Sequence, residues 1–158
     1  MASRKLASWR LVCLAASVTL GLAMLPNMPA HAETTAPGDF RVIVNVHNPA
    51  GSAAREFLAD VFLKRASRWE SGEPARPVDL RPDSGARRAF SLGILKRPVA
   101  AVRRYWQQRI FSGRDVPPPE LDSDESVTRY VATHAGAIGY VSFSVQLGDG
   151  VKVLSVRQ

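Results

Sequence analysis

Residues 77–90 read PVDLRPDSGARRAF. The stretch opens in a short apolar strand, Arg76 to Leu80. Arg81-Pro82-Asp83-Ser84-Gly85 is rich in turn formers and reads as a loop. A helix from about Ala86 to Leu95 follows. A strand that ends in a Ser-Gly loop and feeds a helix is the unit from which α/β folds are built. It is also where chemistry can reside. The first amides of a helix lack intrahelical partners and attract anions. The Ser84 hydroxyl can add a hydrogen bond, and Arg81 or Arg87 can clamp an anion's oxygens in bidentate fashion. Asp83 opposes a full dianion, unless the anion carries a proton that it can donate. The plainer alternative is that Ser84 is only a helix cap and the arginines are solvated.

On the N-terminal side, Phe40 to His47 (FRVIVNVH) alternates apolar and polar residues and is β-branched. It predicts a strand with Val42, Val44 and Val46 on one face. Asn48 to Gly51 is a turn, after which Ser52 is placed to cap a helix. In that helix Ala54, Phe57, Leu58, Val61 and Phe62 share a stripe. Residues 68–74 (RWESGEP) end the unit. On the C-terminal side, Pro98 opens a third helix with Val99, Val102, Trp106 and Ile110 inward. Residues 112–122, with Pro117 to Pro119, form a stiff exposed loop. Ser123 starts a fourth helix, with Asp124 and Glu125 against its dipole and Val127, Tyr130 and Val131 in the core. Gly136 stops it. Two strands close the chain, Ile138 to Val145 and Val151 to Val156. Strands alternating with helices predict an α/β sandwich whose sheet is largely parallel and flanked by helices.

The chain has 158 residues and ordinary globular composition, 46% hydrophobic and 22% charged. That excludes a wholly disordered or collagen-like chain. Arg4, Lys5 and Arg10 precede an uncharged apolar run from Leu11 to Leu25, and Ala30-His31-Ala32 supplies small residues at both positions a signal peptidase reads. The expectation is a secretory signal peptide over 1–32, cleaved before Glu33. Pro26 and Pro29 stop a run too short to span a bilayer well, so no membrane span is expected after cleavage. One domain over 33–158 remains. The only cysteine, Cys13, leaves with the leader, so no disulfide, thiol nucleophile or thiolate ligand is expected. The formal charge of +7 falls to +4 once Arg4, Lys5 and Arg10 are removed. In an exported domain this favours a small anion or an anionic surface as partner and does not point to nucleic acid. The arginines of the third helix, interleaved with Tyr105 and Trp106, read as a solvated face beside a core tryptophan.

His47 and His134 are not spaced as metal ligands, and no hydrolase elbow, P-loop or carboxylate pair is present. No catalytic residue, metal or cofactor is expected.

Three stretches carry a family likeness. Residues 57–72 (FLADVFLKRASRWESG), 77–90 (PVDLRPDSGARRAF) and 135–141 (AGAIGYV) follow one another in order and spacing. The chain resembles the phosphate ABC-transporter substrate-binding proteins, a branch of the type 2 periplasmic-binding superfamily, and most closely their short single-lobe members. The first stretch looks like the family's helix and tryptophan turn, the second like its phosphate loop, and the third is close to PGAIGYV with Ala135 for the proline. The resemblance implies one periplasmic-binding lobe that recognises phosphate or a related oxyanion, with Arg81, Ser84, Gly85 and Arg87 as the anion-binding positions. It implies a periplasmic location and a link to phosphate transport or sensing. Three departures stand beside it. Arg81 lies one residue closer to the Ser-Gly pair, Ala86 replaces the usual threonine, and the first lobe's phosphate contacts have no counterpart in this sequence. The alternative is a non-enzymatic accessory module that keeps the lobe and uses its open face to self-associate or to dock on an envelope protein.

Overall fold

The computed structural model describes residues 39–158. The expected signal peptide and its cleavage site lie outside the described residues. The chain order is β1 (Phe40–Asn45), β2 (Ser52–Ala54), α1 (Arg55–Phe62), β3 (Arg76–Pro77), β4 (Asp79–Leu80), α2 (Gly85–Gly93), α3 (Val99–Phe111), β5 (Glu120–Leu121), α4 (Asp124–Thr133), β6 (Ala137–Ser142), β7 (Val151–Val153) and β8 (Ser155–Arg157).

The α/β architecture with helices against a sheet agrees with expectation. Within it, the main sheet is mixed and not largely parallel. Its order is β3-β6-β1-β7. β1 runs antiparallel to both neighbours, β6 and β7, while β3 joins β6 in parallel. The expected strand from Val151 to Val156 divides at Leu154 into β7 and β8, which lie in different sheets, and β1 inserts between β6 and β7. Two small parallel pairs, β2 with β8 and β4 with β5, complete the strands.

As a central strand, β1 buries both of its faces. Val42, Ile43 and Val44 are buried, and Val46, expected on one face of the strand with Val42 and Val44, stands beyond the strand and exposed. Ser52 does not cap a helix. It opens β2, and α1 begins after Ala54 without a side-chain cap. Residues 76–80 divide at Val78 between two sheets. In α3, Val102 and Trp106 are buried but Ile110 is half exposed. The expected loop 112–122 ends in β5, which pairs with β4.

The AGAIGYV stretch has a packing reason at each glycine. Gly136 holds φ +73°, and a Cβ there would lie 2.2 Å from the Pro74 carbonyl oxygen. The Gly136 carbonyl accepts a hydrogen bond from the buried Trp69 indole at 2.9 Å. At Gly139 a Cβ would meet Val127 Cγ1 at 2.6 Å, so this glycine lets α4 lie close on β6. Tyr140 stacks on Phe90 with centroids 3.9 Å apart, tying β6 to α2.

Candidate functional site

The loop after β4 is a turn closed by Ser84 N–H donating to the Arg81 carbonyl at 3.1 Å. Arg81 N–H donates to Leu121 on β5 at 3.2 Å, which anchors the turn to the small β4–β5 pair. Ser84 sits in extended conformation as the N-cap of α2, and its Oγ accepts from Arg87 N–H at 3.4 Å. Its carbonyl takes the Arg88 amide at 3.2 Å. Gly85 is the first helical residue and is exposed, while Ala86 and Arg87 after it are buried and the Arg87 amide is taken by Ser84. Nothing lies nearer to a Cβ at Gly85 than Arg88 Nη2 at 4.0 Å, so packing does not demand glycine here.

The structure thus brings Arg81, Ser84 and Gly85 together on one exposed turn. Arg81 Nε pairs with Asp83 Oδ1 at 2.9 Å, and both side chains are more than half exposed. The Arg81 guanidinium is therefore shared with a carboxylate inside its own loop. An anion on this turn is open to water, so each hydrogen bond to it is weakened by solvent.

Arg87 departs from expectation. Its side chain is not a solvated clamp but lies 4% exposed within the fold. The guanidinium pairs with Asp79 and donates to the Tyr140 hydroxyl at 3.2 Å. Tyr140 in turn donates to Asp79. Leu80 N–H donates to both Asp79 Oδ1, at 3.1 Å, and Tyr140, at 3.2 Å. Arg87 Nε is buried without a partner. Burial pulls the Arg87 pKa below its ordinary value, opposed by the attraction of Tyr140 and Glu120. Burial likewise pushes the Tyr140 phenol up. The backbone N–H of Arg87 meets Ser84, while its charge is neutralised inside the protein by Asp79.

Asp79 and Tyr140 are the residues that sequence reasoning missed. A signal for the first was present: a carboxylate between Val78 and Leu80 in an apolar strand demands a partner. Nothing local to residues 77–90 points to Tyr140, which lies 61 positions beyond Asp79.

The two histidines among the described residues are occupied locally. His47 Nδ1 lies 3.2 Å from Asn45 Oδ1. His134 Nδ1 lies 2.9 Å from the Tyr130 carbonyl, with its ring stacked on Tyr130. Among the described residues, no group of three or more His, Cys, Asp or Glu side chains is placed to hold a metal ion. Among the same residues, no helix is long and apolar enough to cross a membrane.

Neither a protein-family model nor a curated protein matches the sequence. Solved structures do match it in fold. An ABC-type phosphate transport receptor from Vibrio cholerae aligns over 75% of this chain and 46% of its own, with TM-score 0.57 and 18% identity. A protein from Clostridium perfringens, assigned as a phosphate ABC transporter substrate-binding protein and solved with bound phosphate, aligns over 75% and 44%, with TM-score 0.58 and 21% identity. PstS from Borrelia burgdorferi aligns over 76% and 47%, with TM-score 0.56 and 13% identity. The chain spans less than half the length of each of these proteins. At these identities the likeness establishes the fold, which is that of phosphate substrate-binding proteins.

Proposed function

We propose that the chain is an exported, periplasmic solute-binding-like protein that recognises phosphate or a related oxyanion weakly, without catalysing a reaction. The observation that carries this reading is the Ser84-capped N-terminus of α2, exposed at Gly85 on a fold shared with phosphate-binding proteins. The Ser84 hydroxyl, the Gly85 amide and Arg81 supply the donors. Arg87 keeps its place in the site as a positioning residue, because its amide meets Ser84 and its side chain ties α2 to β4 and β6. Water access to the turn and the Arg81–Asp83 pair both support weak binding. The role is phosphate transport or sensing.

The test is isothermal calorimetry and thermal shift of the full chain with phosphate, with chloride at equal ionic strength as control. Heat and a shift at millimolar phosphate are expected for phosphate alone. Their absence overturns the reading.

A second reading is an envelope accessory module that has lost ligand capture. It is favoured by the Arg81–Asp83 pair and by the burial of the Arg87 side chain, which leave fewer cationic donors free at the turn. It predicts self-association or a co-purifying envelope protein. A strict monomer by light scattering, with no such partner, leaves it without support.

A further inference from the structure

From Ala86 to Arg114 the chain carries eight basic residues and no acidic one. This stretch forms α2, its connection and α3. The outer face of α3 is the part that matters. At 3.6 residues per turn Arg104 and Phe111 stand on one stripe, about 10 Å apart, with Gln107 and Gln108 between them. All four are exposed, and so is the neighbouring Arg103. Phe111 is 91% exposed, and Val116 just beyond the helix is 59% exposed. An aromatic ring so fully in water at a helix end is not a packing residue of this lobe.

The charges beside it are available. Among the described residues Arg103, Arg104 and Arg114 enter no ion pair. Asp115, the nearest acid in sequence, is engaged by Lys64 at 3.6 Å and Arg109 at 3.9 Å. Glu120 is the one acid that joins Arg103 around a hollow of about 160 Å³, which Trp106, Gln107 and Ile110 also line.

We propose that this face docks on an anionic phospholipid surface. Arg103, Arg104 and Arg114 meet the headgroup phosphates, and Phe111 inserts at the boundary with the acyl chains. A membrane fits better than an acidic protein, because the apolar side chains protrude singly around the end of α3. A soluble partner would need a matching pocket for each. An interface of headgroups and chain ends accommodates them as they stand. The hollow at Arg103 is also lined by Pro82 of the oxyanion turn, but Arg104 and Phe111 do not line it, and vesicle binding is read independently of any phosphate response.

The test is flotation of the full chain with phosphatidylcholine vesicles and with equimolar phosphatidylglycerol–phosphatidylcholine vesicles. Residues 1–32 are common to every variant, so their contribution cancels in ratios between variants. Wild type is expected to partition at least about tenfold more strongly to the anionic vesicles, with the difference lost in high salt. Arg103→Glu with Arg104→Glu removes that gain, and Phe111→Glu lowers partition to anionic vesicles about tenfold. These side chains are exposed, and unchanged melting curves verify that the variants fold. Equal partition of wild type to both vesicles overturns the proposal. So do variants that bind anionic vesicles like wild type, or a wild type that binds polyglutamate but not vesicles.

Discussion

Arg87, on the first turn of the helix that Ser84 caps, forms an ion pair inside the protein with Asp79 on β4, their side chains 4% and 6% exposed. The pair joins α2 to β4, and the Tyr140 hydroxyl joins both to β6. Removing one partner strands the other charge in a medium that solvates it poorly. Arg87→Ala is therefore expected to lower stability by about 3–5 kcal/mol in urea denaturation. Arg87→Met combined with Asp79→Leu is expected to recover most of that loss, because neither charge is left alone. A loss under 1 kcal/mol for Arg87→Ala, as for a solvated arginine, contradicts the buried pair.

The phenol of Tyr140 is pushed up by burial from an ordinary value of 10. The raised native pKa means that its contribution is full below about pH 10, where the phenol is protonated in both states. Above that, the unfolded chain releases the proton and the native chain holds it, so stability falls as pH rises. Urea midpoints from pH 8 to pH 11 are expected to be flat at first and then to decline, and Tyr140→Phe is expected to flatten the decline. In a spectroscopic titration, Tyr140 is expected to ionise only on unfolding. Ionisation of all three tyrosines in the folded protein near pH 10 contradicts this.

Glycine substitutions separate packing from recognition. Gly136→Ala puts a Cβ 2.2 Å from a backbone oxygen at positive φ and is expected to cost more than about 3 kcal/mol. Gly139→Ala meets the Val127 methyl at 2.6 Å and is expected to cost about 1–3 kcal/mol. Gly85→Ala meets nothing closer than 4.0 Å and is expected to leave stability within about 0.5 kcal/mol. Its effect is expected on phosphate, since the new methyl stands beside the Gly85 amide. The ordering by thermal melts checks the account of each glycine.

The local signals were legible in the sequence. Ser84 and Ser123 both cap the helices they precede, because a cap is a contact over three residues and its pattern is continuous. Gly136 is expected as a helix stop, but α4 ends at Thr133 with His134 as its extended C-cap, and the glycine is required by its positive φ and the Pro74 carbonyl. The remote pairings were not. Ser52 has the residue type of a cap, but Ser52–Ala54 pairs with β8 about a hundred positions away and becomes a strand. The mixed sheet arises because β1 pairs on both edges with strands from the end of the chain. Its burial on both faces hid Ile43 from an alternation rule. Of the candidate site, the turn and cap at Arg81 to Gly85 were legible. The burial of Arg87 was not, since Tyr140 lies 53 positions away.

Ser84 carries the central claim, so its substitution tests it most directly. Ser84→Ala removes a cap, and is expected to cost about 1 kcal/mol and to lower Tm by roughly 3–5 °C without ligand. The measurement is the phosphate-dependent thermal shift of the full chain for wild type, Ser84→Ala and Arg81→Ala, each against its own melting temperature in chloride. A ligand that binds only the native state raises Tm with concentration. The account predicts a shift in wild type at millimolar phosphate that falls sharply in both variants. Equal shifts in all three proteins, or none in any, contradict an oxyanion site at this turn.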